Sequence, residues 1–425
     1  MRKARPPINF LLVQLVTRLS LLAAFLFVLT LVDNQRKNPS PSIQPTDNLD
    51  LQLVRLYQRT NGQWTDADQE ELNRLLTAQN NIEMISRRLP FTSSPSVPVL
   101  WAVARQQRAM QDWQQLEQTL RTILSSDPAH TGANLWLGLL LLPDTDGVRH
   151  VQIASSTPHE QQPLAAAVLG IVSVEGYTPA DVALRLVEAG EWAFAERFLT
   201  QQIEQNNLDA WAYAYRGYVR DQQNRDGLSD IQQAISLEPT LSIGFYMLGL
   251  HERSAGNLPA SLNALQEAYL LEPDNPALAA EVAAGYQLAQ DRESAEEWFG
   301  LAVSLAPNDV RFVRLQAAFY AENAYLLDGR GLDFIQNASE QYPEDVHLLA
   351  SLGRAYLENE RLADAETALQ RALLLAPEDA RTRYFLGNLA ENQGNIIAAL
   401  EHYSAVILTK NPYTEQALEA LRRLS

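Results

Sequence analysis

The sequence contains no cysteine among its 425 residues. A chain without thiols forms no disulfide, no iron–sulfur cluster and no cysteine-ligated zinc site. Its six histidines are scattered, without the HExxH pattern or the paired spacing that is typical of metal sites. GxSxG, P-loop and GxGxxG motifs are also absent. We therefore expect neither an enzyme nor a cofactor, a metal ion or a small-molecule substrate.

Charge is distributed unevenly along the chain. The formal net charge is −18, yet residues 1–37 carry six basic residues against one acid and therefore sum to +5. The remaining residues consequently carry −23. A body this acidic repels nucleic-acid phosphates, so we expect no DNA or RNA partner.

An apolar stretch, "LLVQLVTRLSLLAAFLFVLTLV", occupies residues 11–32 behind the basic segment 1–10. Its 22 residues would extend about 33 Å as a helix, close to the thickness of a bilayer core. Bulky residues follow where a signal peptidase would need small ones, which favours an uncleaved signal-anchor. Basic residues are more frequent before the span than after it. We expect a single-pass membrane protein with a cytoplasmic N-terminus and an extracytoplasmic body, although the reverse orientation remains open.

Arg18 is the charged residue within this span. One interpretation is that its guanidinium snorkels towards the headgroups on the N-terminal side. The alternative is an ion pair with an acid on a transmembrane helix of a partner. After the span, residues 33–48 contain three prolines and few large apolar residues, which is typical of an extended linker. Residues 49–96 have the pattern of a helical N-terminal region.

Internal repetition dominates the rest of the chain. Prolines that close Ala/Leu-rich segments recur at intervals of 34, 34, 36 and 34 residues, at Pro239, Pro273, Pro307, Pro343 and Pro377. Turn glycines and small residues recur in register with them, at positions that include Gly190, Gly256, Gly394, Ala295, Ala365 and Ala399. Such a period indicates a helical hairpin repeated along the chain.

The pattern resembles the tetratricopeptide repeat, a helix–turn–helix of 34 residues. The best copy is 346–379, whose matching residues are Leu352, Gly353, Tyr356, Ala365, Leu369, Ala372 and Pro377. The resemblance implies an all-α fold, a right-handed superhelical solenoid with a concave groove. We predict degenerate repeats over 97–207, regular repeats over 208–413 and a capping helix over 414–425. Whether residues 131–175 interrupt the solenoid stays open.

The resemblance also implies a binding surface, because the first helix of each repeat lines the groove in this family. The inward positions transferred to this chain are Tyr213, Arg216, Tyr246, Met247, Leu250, Arg311, Arg314, His347, Arg354, Arg381, Tyr384, Phe385 and Asn388. Five of these are arginines, which suits an extended protein or peptide partner with acidic and apolar groups. The alternative is that the arginines pair with neighbouring acids of this chain.

Together these features favour a membrane-anchored scaffold or adaptor. It would bind protein or peptide partners in the groove, in the service of assembling a membrane or envelope complex. The alternative is a fixed structural subunit of a multi-protein membrane complex, held through its transmembrane helix and Arg18.

Overall fold

The computed structural model describes residues 97–408 and 411–424. The predicted basic segment 1–10, the span 11–32 with Arg18, the linker 33–48 and the helical region 49–96 lie outside the described residues. The described part of the chain consists of α-helices joined by short turns and contains no strand, which confirms the all-α class there. None of its helices combines the length and apolar character needed to cross a bilayer.

The described residues divide into two compact units, and the chain passes from one to the other between Leu237 and Glu238. The first unit has nine described helices: α1 (Val97–Ala109), α2 (Trp113–Ser126), α3 (Thr131–Leu141), α4 (Thr145–Ser156), α5 (Gln162–Val172), α6 (Pro179–Glu188), α7 (Trp192–Gln205), α8 (Ala210–Gln222) and α9 (Leu228–Leu237). Residues 131–175, for which the sequence left an interruption of the solenoid open, include the three helices α3, α4 and α5.

The second unit has eleven described helices: α10 (Ser242–Ser254), α11 (Leu258–Leu271), α12 (Pro276–Leu288), α13 (Arg292–Leu305), α14 (Val310–Glu322), α15 (Arg330–Gln341), α16 (Val346–Glu358), α17 (Leu362–Leu375), α18 (Ala380–Asn392), α19 (Ile396–Val406) and α20 (Thr414–Leu424). Within each unit, consecutive helices pack against each other as stacked hairpins. This is the solenoid arrangement that the repeats predict, whereas its handedness stays a prediction.

The turns form where the repeated residues predict them. Gly190, Gly256 and Gly394 each have a positive φ, at 72°, 84° and 75°, a conformation that glycine adopts without steric cost. In the copy at 346–379 the same place is taken by Glu360, with φ at 57°. An aspartate caps the first helix of this copy: Asp345 accepts a hydrogen bond from the Leu348 N–H at 3.1 Å.

Small residues allow the two helices of each hairpin to approach closely. A Cβ atom at Gly353 would lie 2.4 Å from Cγ of Leu369, and one at Gly387 would lie 2.4 Å from the ring of Tyr403. Leu369 and Tyr403 are both fully buried. Gly353 and Gly387, each of which follows a leucine, are therefore positions at which one helix presses on the large apolar residue of its partner.

Candidate functional site

The predicted groove residues are divided between the two units. Tyr213 and Arg216 lie on α8 of the first unit, where the guanidinium of Arg216 sits 5.4 Å from the Tyr213 ring centroid. Every other predicted groove residue lies in the second unit. Of these, Leu250, Tyr384 and Asn388 are half-buried, and His347 is exposed at the start of α16.

Each of the five predicted groove arginines forms an ion pair with an acid of this chain. The pairs are Arg216–Asp230, Arg311–Asp309, Arg314–Asp345, Arg354–Glu358 and Arg381–Glu322. Arg216 is the most tightly held, because its Nε and Nη2 donate to the two oxygens of Asp230 at 2.8 Å each. The structure therefore agrees with the alternative in which these charges are satisfied internally.

Three predicted groove residues are buried. Tyr246, Met247 and Phe385 expose only 7%, 3% and 3% of their surface. Phe385, for example, packs with Leu357 and Leu389 in an apolar cluster. Their helices turn these side chains towards neighbouring helices rather than towards solvent. Their assignment to an open binding surface therefore needs correction.

One group of side chains in the second unit combines two of the predicted residues with three that the sequence did not indicate. We call Glu322, Ser351, Arg381, Tyr384 and Tyr413 the Arg381 cluster. They come from α14, α16, α18 and the residue before α20. The Nη2 of Arg381 donates to Oγ of Ser351 at 3.0 Å and lies 3.1 Å from Oε1 of Glu322. The cluster thus joins three successive hairpins.

Tyr413 is the aromatic centre of the Arg381 cluster. Its hydroxyl donates to Oε1 of Glu322 at 2.9 Å, although the two residues are 91 positions apart. Its ring stacks on Tyr384 with centroids 5.3 Å apart and meets the Phe385 ring edge-on at 5.8 Å. Burial raises the pKa of the Tyr413 hydroxyl, so it stays protonated and able to donate.

Arg381 remains charged although it is enclosed. Burial alone would lower its pKa, but Tyr413, Glu322 and Asp379 together outweigh burial and raise it. Its guanidinium also lies 5.7 Å from the Phe385 ring centroid, a cation–π contact. The Nε of Arg381 has no hydrogen-bond partner among the described residues. The guanidinium of Arg381, with an unpaired N–H at Nε, therefore lies beside the stacked rings of Tyr384 and Tyr413.

His347 lies near this charge. Desolvation lowers the pKa of its imidazole, and the guanidinium groups of Arg381 and Arg314 lower it further. The ring is therefore neutral near pH 7 and adds a polar, uncharged group to the surface beside the Arg381 cluster.

Tyr413 escaped prediction because it occupies a position that elsewhere holds an aspartate. Asp345 and Asp379 stand 34 residues apart and cap α16 and α18, and the same interval leads to Tyr413. The signal was thus present as a break in the repeated pattern. Glu322 offered no such signal, because acids are common on the exposed faces of these helices.

Residues 350–413 match the family model described as tetratricopeptide repeat. This segment begins within α16 and ends at Tyr413, so it includes most of the Arg381 cluster. Over these 64 residues the chain is similar to the tetratricopeptide repeat. The resemblance of the copy at 346–379 is thereby confirmed for the matched residues.

Known proteins resemble larger parts of the chain. Superkiller protein 3 of Schizosaccharomyces pombe is 22% identical over 308 residues, which is 68% of this chain and 21% of that protein. The peroxisomal targeting signal receptor of Candida albicans is 26% identical over 246 residues, 53% of this chain and 39% of the receptor. The chain thus spans less than half the length of these curated relatives.

A solved tetratricopeptide repeat protein from Parabacteroides merdae covers 58% of this chain, and 97% of that protein is matched. The TM-score is 0.48 and the sequence identity is 16%.

Proposed function

We propose that this tetratricopeptide repeat protein is a scaffold or adaptor that binds a segment of a partner protein at the Arg381 cluster. The observation that carries the proposal is the stacked pair Tyr384–Tyr413 beside the enclosed guanidinium of Arg381. Tyrosine and arginine are the residue types that most often dominate the energy of protein interfaces. Rings already held by packing lose little entropy when a partner contacts them.

The partner that fits this surface best is apolar with a few polar groups. Glu322 already pairs with Arg381 and remains 42% exposed at its side chain. Because the predicted groove arginines are paired with acids, a strongly acidic segment would first have to displace internal carboxylates. An apolar or aromatic side chain against Tyr384 and Tyr413 needs no such exchange. Asn388 and His347 then provide polar contacts at the edge.

The name of one relative is in keeping with this role. The Candida albicans protein is by name a receptor for a targeting signal, which is a segment of another protein. That similarity supports a binding role for the repeats of this chain and does not specify the partner.

Membrane attachment is a further part of the proposal. The apolar segment 11–32 would anchor the protein, with the N-terminus in the cytoplasm and the repeats on the extracytoplasmic side, and the linker would hold the repeats off the bilayer. In this position the protein would help to assemble a membrane or envelope complex. The competing proposal is a fixed structural subunit that is held to its complex through Arg18.

Photo-cross-linking in native membranes tests the binding role. A benzophenone amino acid would replace His347, which is exposed beside the Arg381 cluster, or Tyr384 within it. The matched control position is Arg371, which is exposed on the second helix of the same hairpin. We expect a discrete cross-linked protein from positions 347 and 384 and none from position 371. Equal products from all three positions would contradict a specific site there.

Replacing Arg18 separates the two proposals. If the protein is an adaptor, Arg18→Leu leaves the product cross-linked at position 347 unchanged after extraction in mild detergent. If the protein is a fixed subunit, Arg18→Leu dissociates it from its complex, and photo-reactive residues beside position 18 capture a partner that position 347 does not.

A further inference from the structure

A cavity in the first unit lies outside the predicted groove. It measures about 360 Å³, and its walls include Trp101, Arg105, His130, Trp136, His159 and Gln161. We call it the Trp101 pocket. Its volume is within the range of small-molecule sites, which begins at about 300 Å³. From the sequence we expected no small-molecule substrate. The residues of this pocket are dispersed over α1, α3 and the α4–α5 turn, so no sequence motif indicates the cavity.

Aromatic rings form one wall of the Trp101 pocket. The ring centroids of Trp101 and Trp136 are 4.2 Å apart, and Trp101 lies 4.9 Å from the ring of His130. Gly132 permits this arrangement, because a Cβ atom there would lie 2.6 Å from the Trp101 ring. The wall is therefore aromatic, and the position of the Trp101 ring in it depends on a glycine.

Three helices begin at the Trp101 pocket. His130 is the N-cap of α3, Gln161 is the N-cap of α5 and Glu191 is the N-cap of α7, and all three residues line the cavity. Each helix has eleven or more residues. Helix N-termini carry partial positive charge, so three of them around one cavity favour an anion.

Backbone N–H groups fix the tautomers of the two histidines in the Trp101 pocket. Nδ1 of His130 accepts from the Ala133 N–H at 3.1 Å, which places the proton of a neutral ring on Nε2. Nδ1 of His159 likewise accepts from the Gln161 N–H at 3.3 Å. Both imidazoles are therefore donors at Nε2.

A buried group on the wall of the Trp101 pocket also needs an acceptor. Trp136 is only 2% exposed, and its indole N–H has no acceptor within the described residues. Buried polar groups without a partner are uncommon in folded proteins. Oε1 of Gln161 likewise has no hydrogen-bond partner within the described residues.

The charged residues of the Trp101 pocket leave one cation available. Arg108 lies over the Trp136 ring at 4.3 Å and is paired with Glu191, so these two charges cancel. Arg105 is exposed and forms no ion pair with any residue that the structure describes. Glu160 is the remaining acid and is exposed.

We infer that the Trp101 pocket binds a small organic anion with a flat apolar body, of which an aromatic carboxylate is the simplest form. Its ring would lie against Trp101, and its anionic oxygens would meet Arg105, the imidazole N–H groups and the helix N-termini. This site is independent of the protein-binding surface in the second unit, so either proposal can fail without the other.

Calorimetric titration of the purified full-length protein tests the inference with three probes. Benzoate supplies both parts of the ligand, benzamide supplies the ring without the charge, and inorganic phosphate supplies the charge without the ring. We expect saturable binding of benzoate that is at least tenfold tighter than binding of either other probe. Equal affinity for benzamide would overturn the requirement for an anion, and equal affinity for phosphate would overturn the aromatic part.

Two substitutions locate the bound benzoate. Arg105→Gln removes the available cation and should weaken binding at least tenfold without changing the melting temperature, because the side chain is exposed and unpaired among the described residues. The matched control is Arg149→Gln on α4, an exposed arginine outside the cavity, which should leave the affinity unchanged. An unchanged affinity in Arg105→Gln, or a loss of equal size in Arg149→Gln, would overturn the assignment.

Discussion

Two buried glutamates differ in the number of donors around them: Glu196 in the first unit has several, whereas Glu281 in the second unit has one. Glu196 on α7 is 4% exposed, and it accepts from Nε of Arg220 at 2.9 Å and from the side-chain amides of Gln111 and Gln223 at 2.6 and 3.0 Å. Arg225 adds an ion pair at 2.5 Å. Burial raises the pKa of Glu196, but these donors outweigh burial and lower it overall.

In the second unit, Glu281 on α12 is fully enclosed and pairs with Nη1 of Arg253 at 2.7 Å. Arg253 is itself only 2% exposed, and its other two nitrogens have no partner within the described residues. Burial raises the pKa of Glu281. The buried glutamates of α7 and α12 therefore have opposite shifts in pKa. The number of hydrogen-bond donors around each carboxylate decides whether its charged form is stabilised.

Breaking the ion pair between Arg253 and Glu281 should have the largest effect on the stability of the protein. Arg253→Met leaves the Glu281 carboxylate buried without a counter-charge, which is expected to lower the free energy of unfolding by about 3–5 kcal/mol. Urea unfolding followed by circular dichroism measures the change. Glu196→Gln in the first unit should cost less, about 1–3 kcal/mol, because Arg220 retains its contact with Asp230 at 2.6 Å.

The double variant Arg253→Met with Glu281→Leu is the control for this comparison. It removes both charges and should recover most of the stability that Arg253→Met loses, since apolar residues replace a buried ion pair at little cost. If the double variant is as unstable as the single one, the loss comes from packing and not from the uncompensated charge.

Glycine substitutions extend the comparison to helix packing, with an intermediate effect. Gly387→Ala in the second unit pushes a methyl group against the buried ring of Tyr403 and should lower the free energy of unfolding by about 1–3 kcal/mol. Gly170→Ala on α5 of the first unit has open space around it and should raise it by roughly 0.5–1 kcal/mol. Thermal melts of both variants check this. A loss at Gly170 would show that the surface of α5 is covered in the protein.

The smallest effect is a difference in pH dependence. The folded-state pKa of Glu196 is lowered, so its contribution to stability is present above the usual pKa of a glutamate and is lost as the pH falls. The folded-state pKa of Glu281 is raised, so its contribution is present at low pH and is lost as the pH rises. Comparing wild type with Glu196→Gln and Glu281→Gln isolates each contribution.

Hydrogen exchange of α7 and α12 between pH 4 and pH 7 provides the measurement. Relative to its Gln variant, the wild-type protein should gain protection at α7 and lose it at α12 as the pH rises. Slopes of the same sign at both helices would refute the contrast between the two carboxylates.

The sequence anticipated the repeated hairpins because their signals are local. The turn at position 394 requires a residue that tolerates a positive φ. Position 353 requires a small residue, because the side chain of Leu369 packs against the helix there. Both requirements recur in every copy and can therefore be recognised by their spacing. The capping aspartates before α16 and α18 follow the same logic.

The proposed binding surface was only partly predictable. Transferring inward positions from the repeat family selected Arg381 and Tyr384, which belong to the Arg381 cluster, but it also placed the buried Tyr246 and Met247 on an open surface. Small differences in how a helix is rotated against its neighbours decide whether a side chain is enclosed. The pairing of Arg381 with Glu322 joins residues that are 59 positions apart, and no local pattern encodes it.

The sequence by itself determined the helices, the turns and the succession of hairpins, because these depend on contacts between residues one repeat or less apart. It also determined the apolar segment 11–32 and the acidic body behind it. Only the tertiary structure decided which charges are satisfied internally and where cavities remain. The Arg381 cluster and the Trp101 pocket each combine side chains from three or more helices, and their chemistry follows from distances and burial that exist only once the hairpins have stacked.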